Sequence, residues 1–324
     1  MEKKVSVYLI LMAFMMVMIS GCASESKEAA IGNSNKDTVK VVATLFPQYD
    51  FARHIAGDKA TVIMLLPPGV ESHSYEPKPS DIIMINNADL FIYTGKYMEI
   101  WAERILEGMD NPKGRILDVS KGINLETTEN IEGVHHHDDE DGEEEHHGHQ
   151  YDPHIWTDPI LAKVMVNNIV ESLCELDPTN ASYYKSNGEN YNTELDQLDA
   201  EFREIVENGA RDEIVFGSKF ALYYFTKQYG LSYEAAFDSC SDETEPSAKI
   251  VAHLIDEIKE ENIPVIYYAE IGEPKVAKSI SDETGAKILL FHSCHNITKK
   301  ELDQGATYLS LMKQNAKNLK EGLN

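Results

Sequence analysis

The sequence predicts an α/β protein of two parallel-sheet (β/α) lobes joined by one long rigid helix. Three observations carry that expectation. Short apolar runs alternate with amphipathic stretches from Val39 to about residue 120, and again from Asp212 to the C-terminus; this order gives parallel strands with helices on their faces. Between the two series lies a helical stretch of nearly thirty residues, whose length and polarity suit a strut between lobes better than a buried core element. A hydrophobic content of 42% over 324 residues is enough for real cores in one large or two ordinary domains.

The elements follow in order. "VKVVATLF" reads as a strand and "YDFARHIAG" as a helix ended by Gly57. "ATVIMLLPPG" is a strand, and "SDIIMINNA" a helix with Ser80 as its N-cap. "DLFIYTG" (strand), "MEIWAERILEG" (helix) and "GRILDVS" (strand) complete the first series. Asp158-Pro159 then opens a helix as cap and first-turn proline, with Leu161, Met165, Ile169 and Leu173 along one face. The long helix is "NASYYKSNGENYNTELDQLDAEFREIVENG". In the second series "DEIVFG", "LSYEAAF", "IPVIYYAE" and "AKILLF" are strands. They alternate with helices in "ALYYFTKQYG", ended by Gly230, in "EPSAKIVAHLIDEIKEEN", where Ile250, Leu254 and Ile258 fall four apart, and in "EPKVAKSISDETG". "TYLSLMKQNAKNLKEGL" is the closing helix. The expected division is 38–180 for the first lobe, 181–209 for the connecting helix and 210–324 for the second lobe.

The start of the chain has its own pattern. Lys3 and Lys4 precede an apolar run, Val5 to Ile19, that is too short to span a membrane comfortably. Ile19-Ser20-Gly21-Cys22 resembles a bacterial lipobox. Residues 1–21 are then a signal peptide and Cys22 the lipidated residue, followed by a polar tether, 22–37. The expected product is extracytoplasmic and leashed to the membrane by its lipid. Net charge is −26, from 55 acids and 29 bases. Such a surface repels nucleic acid and suits cations.

In open parallel sheets, ligands collect beyond the carboxyl ends of the strands. That rule selects His73 past the second strand, Lys219 past "DEIVFG", Glu270 past "IPVIYYAE", and His292, Cys294 and His295 past "AKILLF". His154 precedes the capped helix.

The runs "LLPPGVESHSYEPKPSD", "ADLFIYTGKYMEIWAERIL", "DPHIWTDP", "FTKQYGLSYEAAF" and "TYLSLMKQN" resemble the zinc/manganese ABC-transporter solute-binding lipoproteins, the cluster A-I metal-binding proteins. The resemblance runs from about Val39 to the C-terminus. It implies one divalent metal bound in the cleft between the lobes, held by three histidines and a carboxylate or by two of each. It carries His73 and His154 as ligands. The third family histidine falls on Lys219, whose ammonium group has no lone pair. The family's carboxylate position holds His292, with His295 and Cys294 close by. The expected ligands are His73, His154, His292 and His295, with Glu243, Glu245, Glu270 or water to complete the shell.

An imidazole-weighted set favours zinc over manganese, which prefers oxygen, and does not exclude nickel or copper. His54 and His253 lie in amphipathic helices and read as ordinary surface or packing residues. Cys174 reads as a small buried residue. Cys240 and Cys294 both follow strands of the second lobe, so a disulfide between them and two free thiols are both open.

The stretch from residue 134 to 151 contains His135, His136, His137, His146, His147 and His149, with seven acids among them. It lacks apolar periodicity and cannot form a core. It reads as a solvated acidic loop and as an accessory collector that binds transition metal weakly. The implied function is capture of zinc by a monomer, closure of the lobes, and delivery to an ABC permease with its ATPase. Manganese is the alternative metal and an added adhesin role the alternative function. A zinc hydrolase is a remote rival, because nothing like H-E-x-x-H occurs.

Overall fold

The computed structural model describes residues 38–108, 114–127, 151–237 and 246–324. Two four-stranded sheets organise it, and every pairing within them is parallel. The first contains β1 (Val39–Ala43), β2 (Ala60–Met64), β3 (Leu90–Tyr93) and β4 (Arg115–Asp118), in the order β2-β1-β3-β4. Its helices are α1 (Phe46–Ala56), α2 (Pro79–Asn86) and α3 (Ile100–Glu107).

Two helices follow, α4 (Pro159–Leu176) and α5 (Ala181–Glu207). The second sheet repeats the first one's order, β6-β5-β7-β8, from β5 (Glu213–Lys219), β6 (Ser232–Phe237), β7 (Val265–Tyr268) and β8 (Lys287–Leu290). It carries α6 (Tyr223–Tyr229), α7 (Ala248–Glu260), α8 (Lys275–Thr284), a short α9 (Lys299–Asp303) and α10 (Tyr308–Gly322).

In each sheet the chain leaves the first strand to one side and returns on the other, so the connections leaving the carboxyl ends of β1 and β3, and of β5 and β7, run in opposite directions. That is where an open parallel sheet forms its crevice. The central strands are covered on both faces, which is why β3, "LFIY", is buried throughout.

α5 is the expected long helix, but it does more than bridge. Tyr184, Gly188, Tyr191, Leu195, Leu198, Phe202 and Ile205 recur every three or four residues and are all buried. All but Gly188 join one core that includes Val41 of β1, Phe216 of β5 and Leu319 of α10. The strut is therefore amphipathic: polar to solvent and apolar toward both lobes.

Local starts and stops follow side-chain chemistry. Asp158 caps α4 by accepting from the Ile160 N–H at 2.7 Å, with Pro159 in the first turn. Gly57 (φ 52°) and Gly230 (φ 71°) end α1 and α6 with the positive φ that glycine tolerates. The expectation for Ser80 is corrected. α2 starts at Pro79 with Lys78 as its N-cap, two residues before Ser80, and the Asp81 carboxylate receives the Lys78 N–H at 2.8 Å. α9 was not expected. Thr298 and Glu301 form its capping box, each side chain accepting the other's backbone N–H.

Candidate metal centre

Three loops at the carboxyl side of the sheets meet. The first follows β2 and carries His73. The second precedes α4 and carries His154. The third follows β8 and carries His295. Each is held by bonds to another. The Asn296 amide donates to the carbonyls of Pro67 (2.7 Å) and Val70 (2.8 Å), and the Gly69 N–H donates to the Ile297 carbonyl. The Trp156 indole donates to the Ser293 carbonyl at 2.8 Å, and the Tyr308 hydroxyl to the Trp156 carbonyl at 2.6 Å. All of these partners are far apart in sequence, so the site exists only once the fold is complete.

His73, His154 and His295 each offer a ring nitrogen, and these atoms all lie within 4.8 Å of one another. The Nε2 atoms of His154 and His73 are 3.3 Å apart. Two nitrogens about 2.0–2.1 Å from one tetrahedral zinc would stand about 3.3 Å apart. The pair thus already has the spacing of one edge of such a site.

The rings are oriented from behind. The His154 Nδ1 donates to Asp152 Oδ1 at 2.9 Å, and the same oxygen receives the His154 backbone N–H at 2.8 Å. The proton on Nδ1 leaves a lone pair on Nε2. Behind His295 runs a relay: its Nδ1 meets Ser293 Oγ at 2.8 Å, and Ser293 donates to Glu270 through both its hydroxyl (2.7 Å) and its backbone N–H (2.8 Å). The hydroxyl proton goes to Glu270, so Ser293 Oγ accepts from the imidazole. His295 Nε2 is buried and has no hydrogen-bond partner. Burial above all, then the neighbouring His154, His73, His292 and Lys219, pushes the His295 pKa well below the ordinary histidine value. The ring is neutral at neutral pH, the form that ligates a metal.

The structure does not bring His292 to this group. Its Nδ1 accepts the Cys294 N–H at 2.9 Å, and its Nε2 faces Glu301 at 3.8 Å. Burial opposes a charge on this ring and its two carboxylate neighbours favour one. The Cys294 N–H leaves Nδ1 an acceptor and puts the ring proton on Nε2, so neither nitrogen offers a free lone pair. The nearby His292 ring, helped by hydrogen bonds from Thr298 and opposed by burial, lowers Glu301 to about 2. Two residues, Ser293 and Cys294, separate His292 from His295. Between them Cys294 takes φ 61°, a left-handed conformation rare for a side-chain-bearing residue, and the chain reverses there.

The other candidates have definite places. Lys219 ends β5 and lines a cavity beside the three imidazoles. Glu270 has both oxygens engaged by Ser293. Cys294 is a buried free thiol whose pKa burial raises. Cys174 is half-buried. His54 hydrogen-bonds within its helix, and His253 faces Glu234 at 3.5 Å. Cys22, His135, His136, His137, His146, His147, His149, Cys240, Glu243 and Glu245 lie outside the described residues. Sequence reasoning missed Asp152 and Ser293, which orient the rings, and Trp156, whose indole ties two of the loops together. Asp152 had a signal: it stands two residues before His154, within reach of that ring.

Two parallel-sheet lobes that meet on a buried set of imidazoles define a metal-binding protein of the two-lobed solute-binding class. Residues 41–322 match the family described as ZnuA, zinc-uptake complex component A, periplasmic, and the chain belongs to that family. It is 37% identical over 315 residues to the high-affinity zinc uptake system protein ZnuA of Bacillus subtilis, covering 97% of each chain. It is 31% identical over 320 residues to the zinc-binding lipoprotein AdcA of Streptococcus pneumoniae, covering 98% of this chain but only 61% of AdcA. The crystal structure of the metal-dependent lipoprotein YcdH from Bacillus subtilis superposes with a TM-score of 0.74 at 35% identity, over 88% of this chain and 99% of that one. The Zn(II)-bound ZnuA-like domain of AdcA gives 0.73 at 28% identity, over 88% and 99%.

Proposed function

We propose that this chain is the zinc-capturing component of an ABC importer, that His73, His154 and His295 hold the ion, and that a lipid on Cys22 keeps the protein at the outer face of the membrane. The observation that carries the proposal is the convergence of three imidazoles from three separate loops, with two of the rings held in the ligating tautomer by Asp152 and by the Glu270–Ser293 relay. The names of the relatives support zinc as the cargo.

The residues do the following. His154 and His295 are buried and oriented before the ion arrives, so little ordering entropy is lost on binding. His73 sits on the half-buried loop after β2 and closes the set. Three imidazole nitrogens favour zinc over manganese, whose preferred ligands are oxygens. The net charge of −26 raises the local concentration of cations, and the histidine-rich stretch adds weak binding sites. Release to a permease and its ATPase follows when the lobes separate and divide the ligands between them. No step of this cycle breaks a covalent bond in a substrate.

The test is competition with a zinc chelator, run on the wild-type chain and on His73→Ala, His154→Ala and His295→Ala. One tight zinc per chain is expected for the wild type, and its loss in each variant. Wild-type affinity in any two of the three would remove the assignment. Manganese bound more tightly than zinc would replace the cargo.

A further inference from the structure

Beside the three imidazoles lies a cavity of about 350 Å³. His73 and His295 stand on its wall; the fully buried His154 does not. The side of the histidine set left open by His154 therefore faces this space. A tetrahedral ion held by three imidazoles has one coordination position left. His295, which lies on that wall, is over nine-tenths buried, and its Nε2 has no hydrogen-bond partner.

The rest of the wall says what could fill that position. Lys219 and Lys275 contribute two ammonium groups. α8 begins at Lys275, and its N-terminus carries partial positive charge. The helix sits unusually close to β5 because Gly217 has no side chain: a Cβ there would lie 2.5 Å from the Ala277 Cα. Glu270, the wall's buried carboxylate, already gives both oxygens to Ser293. Glu71 accepts from the His73 N–H at 3.3 Å and from the Ser72 hydroxyl at 3.4 Å. With a divalent ion in place, the space is bordered by that ion and by Lys219. It is far larger than the roughly 30 Å³ that one water occupies, and it falls at the lower end of small-molecule sites. Glu71, Glu270 and Glu273 also line it, which disfavours a multiply charged anion.

We propose that this site takes its zinc together with a small monocarboxylate from solution, which fills the fourth coordination position and pairs with Lys219. The proposal rests on the zinc reading above. It gives Lys219 a role without asking an ammonium group to ligate a metal: the lysine holds the ligand's second oxygen.

The probe is acetate, added to the protein loaded with cobalt(II) in a carboxylate-free buffer, with the visible spectrum as readout. The wild-type chain should show a saturable spectral change. In Lys219→Met the acetate concentration at half-change should rise at least about tenfold, since a charge-assisted hydrogen bond is lost. Lys219→Arg, which keeps the charge, should restore most of it. Cobalt retention against a chelator, measured without acetate, should be the same in all three. A spectrum indifferent to acetate while cobalt stays bound would overturn the proposal, and a spectrum altered by Glu71→Gln instead would name Glu71 as the fourth ligand. An acetate response unchanged in Lys219→Met would remove the lysine's part. Failure of the wild-type chain to hold cobalt at all would sink the zinc reading, and this proposal with it.

Discussion

Asp152→Asn tests whether the histidines are preorganised or merely adjacent. The Asp152 side chain is 1% exposed and has one oxygen 2.9 Å from His154 Nδ1 and 2.8 Å from the His154 N–H. It therefore fixes both the tautomer and the position of the ring. Losing such a partner behind a metal ligand costs about 10–100-fold in affinity, or about 1.4–2.7 kcal/mol. Asparagine keeps an oxygen acceptor and loses the charge, so the loss should lie near tenfold. Asp152→Ala removes the acceptor and should lie near a hundredfold. It should also lower apo-protein stability by about 1–3 kcal/mol, because the buried His154 N–H is left unsatisfied. The assay is zinc competition with a chelator at fixed pH and salt, paired with thermal melting of the apo protein. If both variants bind within threefold of wild type, the carboxylate does not orient the ligand. If the affinity loss merely follows the melting temperature, its role is structural.

His295→Ala should abolish tight zinc binding. His292→Ala should keep it, yet lose about 2–3 kcal/mol of stability, since the buried ring that faces Glu270 and Glu301 is gone; thermal melting and competition separate the two effects. Deleting residues 135–149 should leave the tight equivalent intact and remove weaker ones in titration calorimetry, because six histidines in a stretch without apolar periodicity must lose chain entropy to converge on one ion. Burial, against hydrogen bonds from Thr44, Thr94 and Gly95, raises Glu99 from 4.5 to about 7. A raised carboxyl favours the folded state while protonated. Its contribution is complete below about pH 4.5 and is lost as pH rises through 7, on the order of 3 kcal/mol in all. Denaturant unfolding of Glu99→Gln should therefore show a flatter decline from pH 4.5 to 8 than the wild type, and parallel curves would refute the assignment.

The order of strands and helices was legible because hydrophobic periodicity is local. "LFIY" and "VKVVA" announce buried strands, and Asp158-Pro159 announces a helix start. The burial of one face of α5 needed more than composition: its apolar stripe shows only when Tyr184, Tyr191, Leu198 and Ile205 are placed on a wheel. α9 was hidden by its brevity, although Thr298 and Glu301 stand at capping-box spacing. His73 and His154 sit in runs with strong neighbours, whereas the choice between His292 and His295 could not be made from spacing. It depends on the reversal at Cys294 and on Glu301 arriving from α9 to take one ring away. The orienting residues Asp152 and Ser293 were missed for the same reason. Their role is set by what lies behind the ring in space.

Whether His73, His154 and His295, and not His292, hold the ion can be seen in a crystal. Anomalous scattering at the zinc edge from crystals of the zinc-loaded protein tests it most directly. A single strong peak is expected within about 2.0–2.2 Å of a nitrogen of each of the three rings, with His292 still turned toward Glu301. A peak between His292 and Glu301, or one lacking His295 among its ligands, would contradict it.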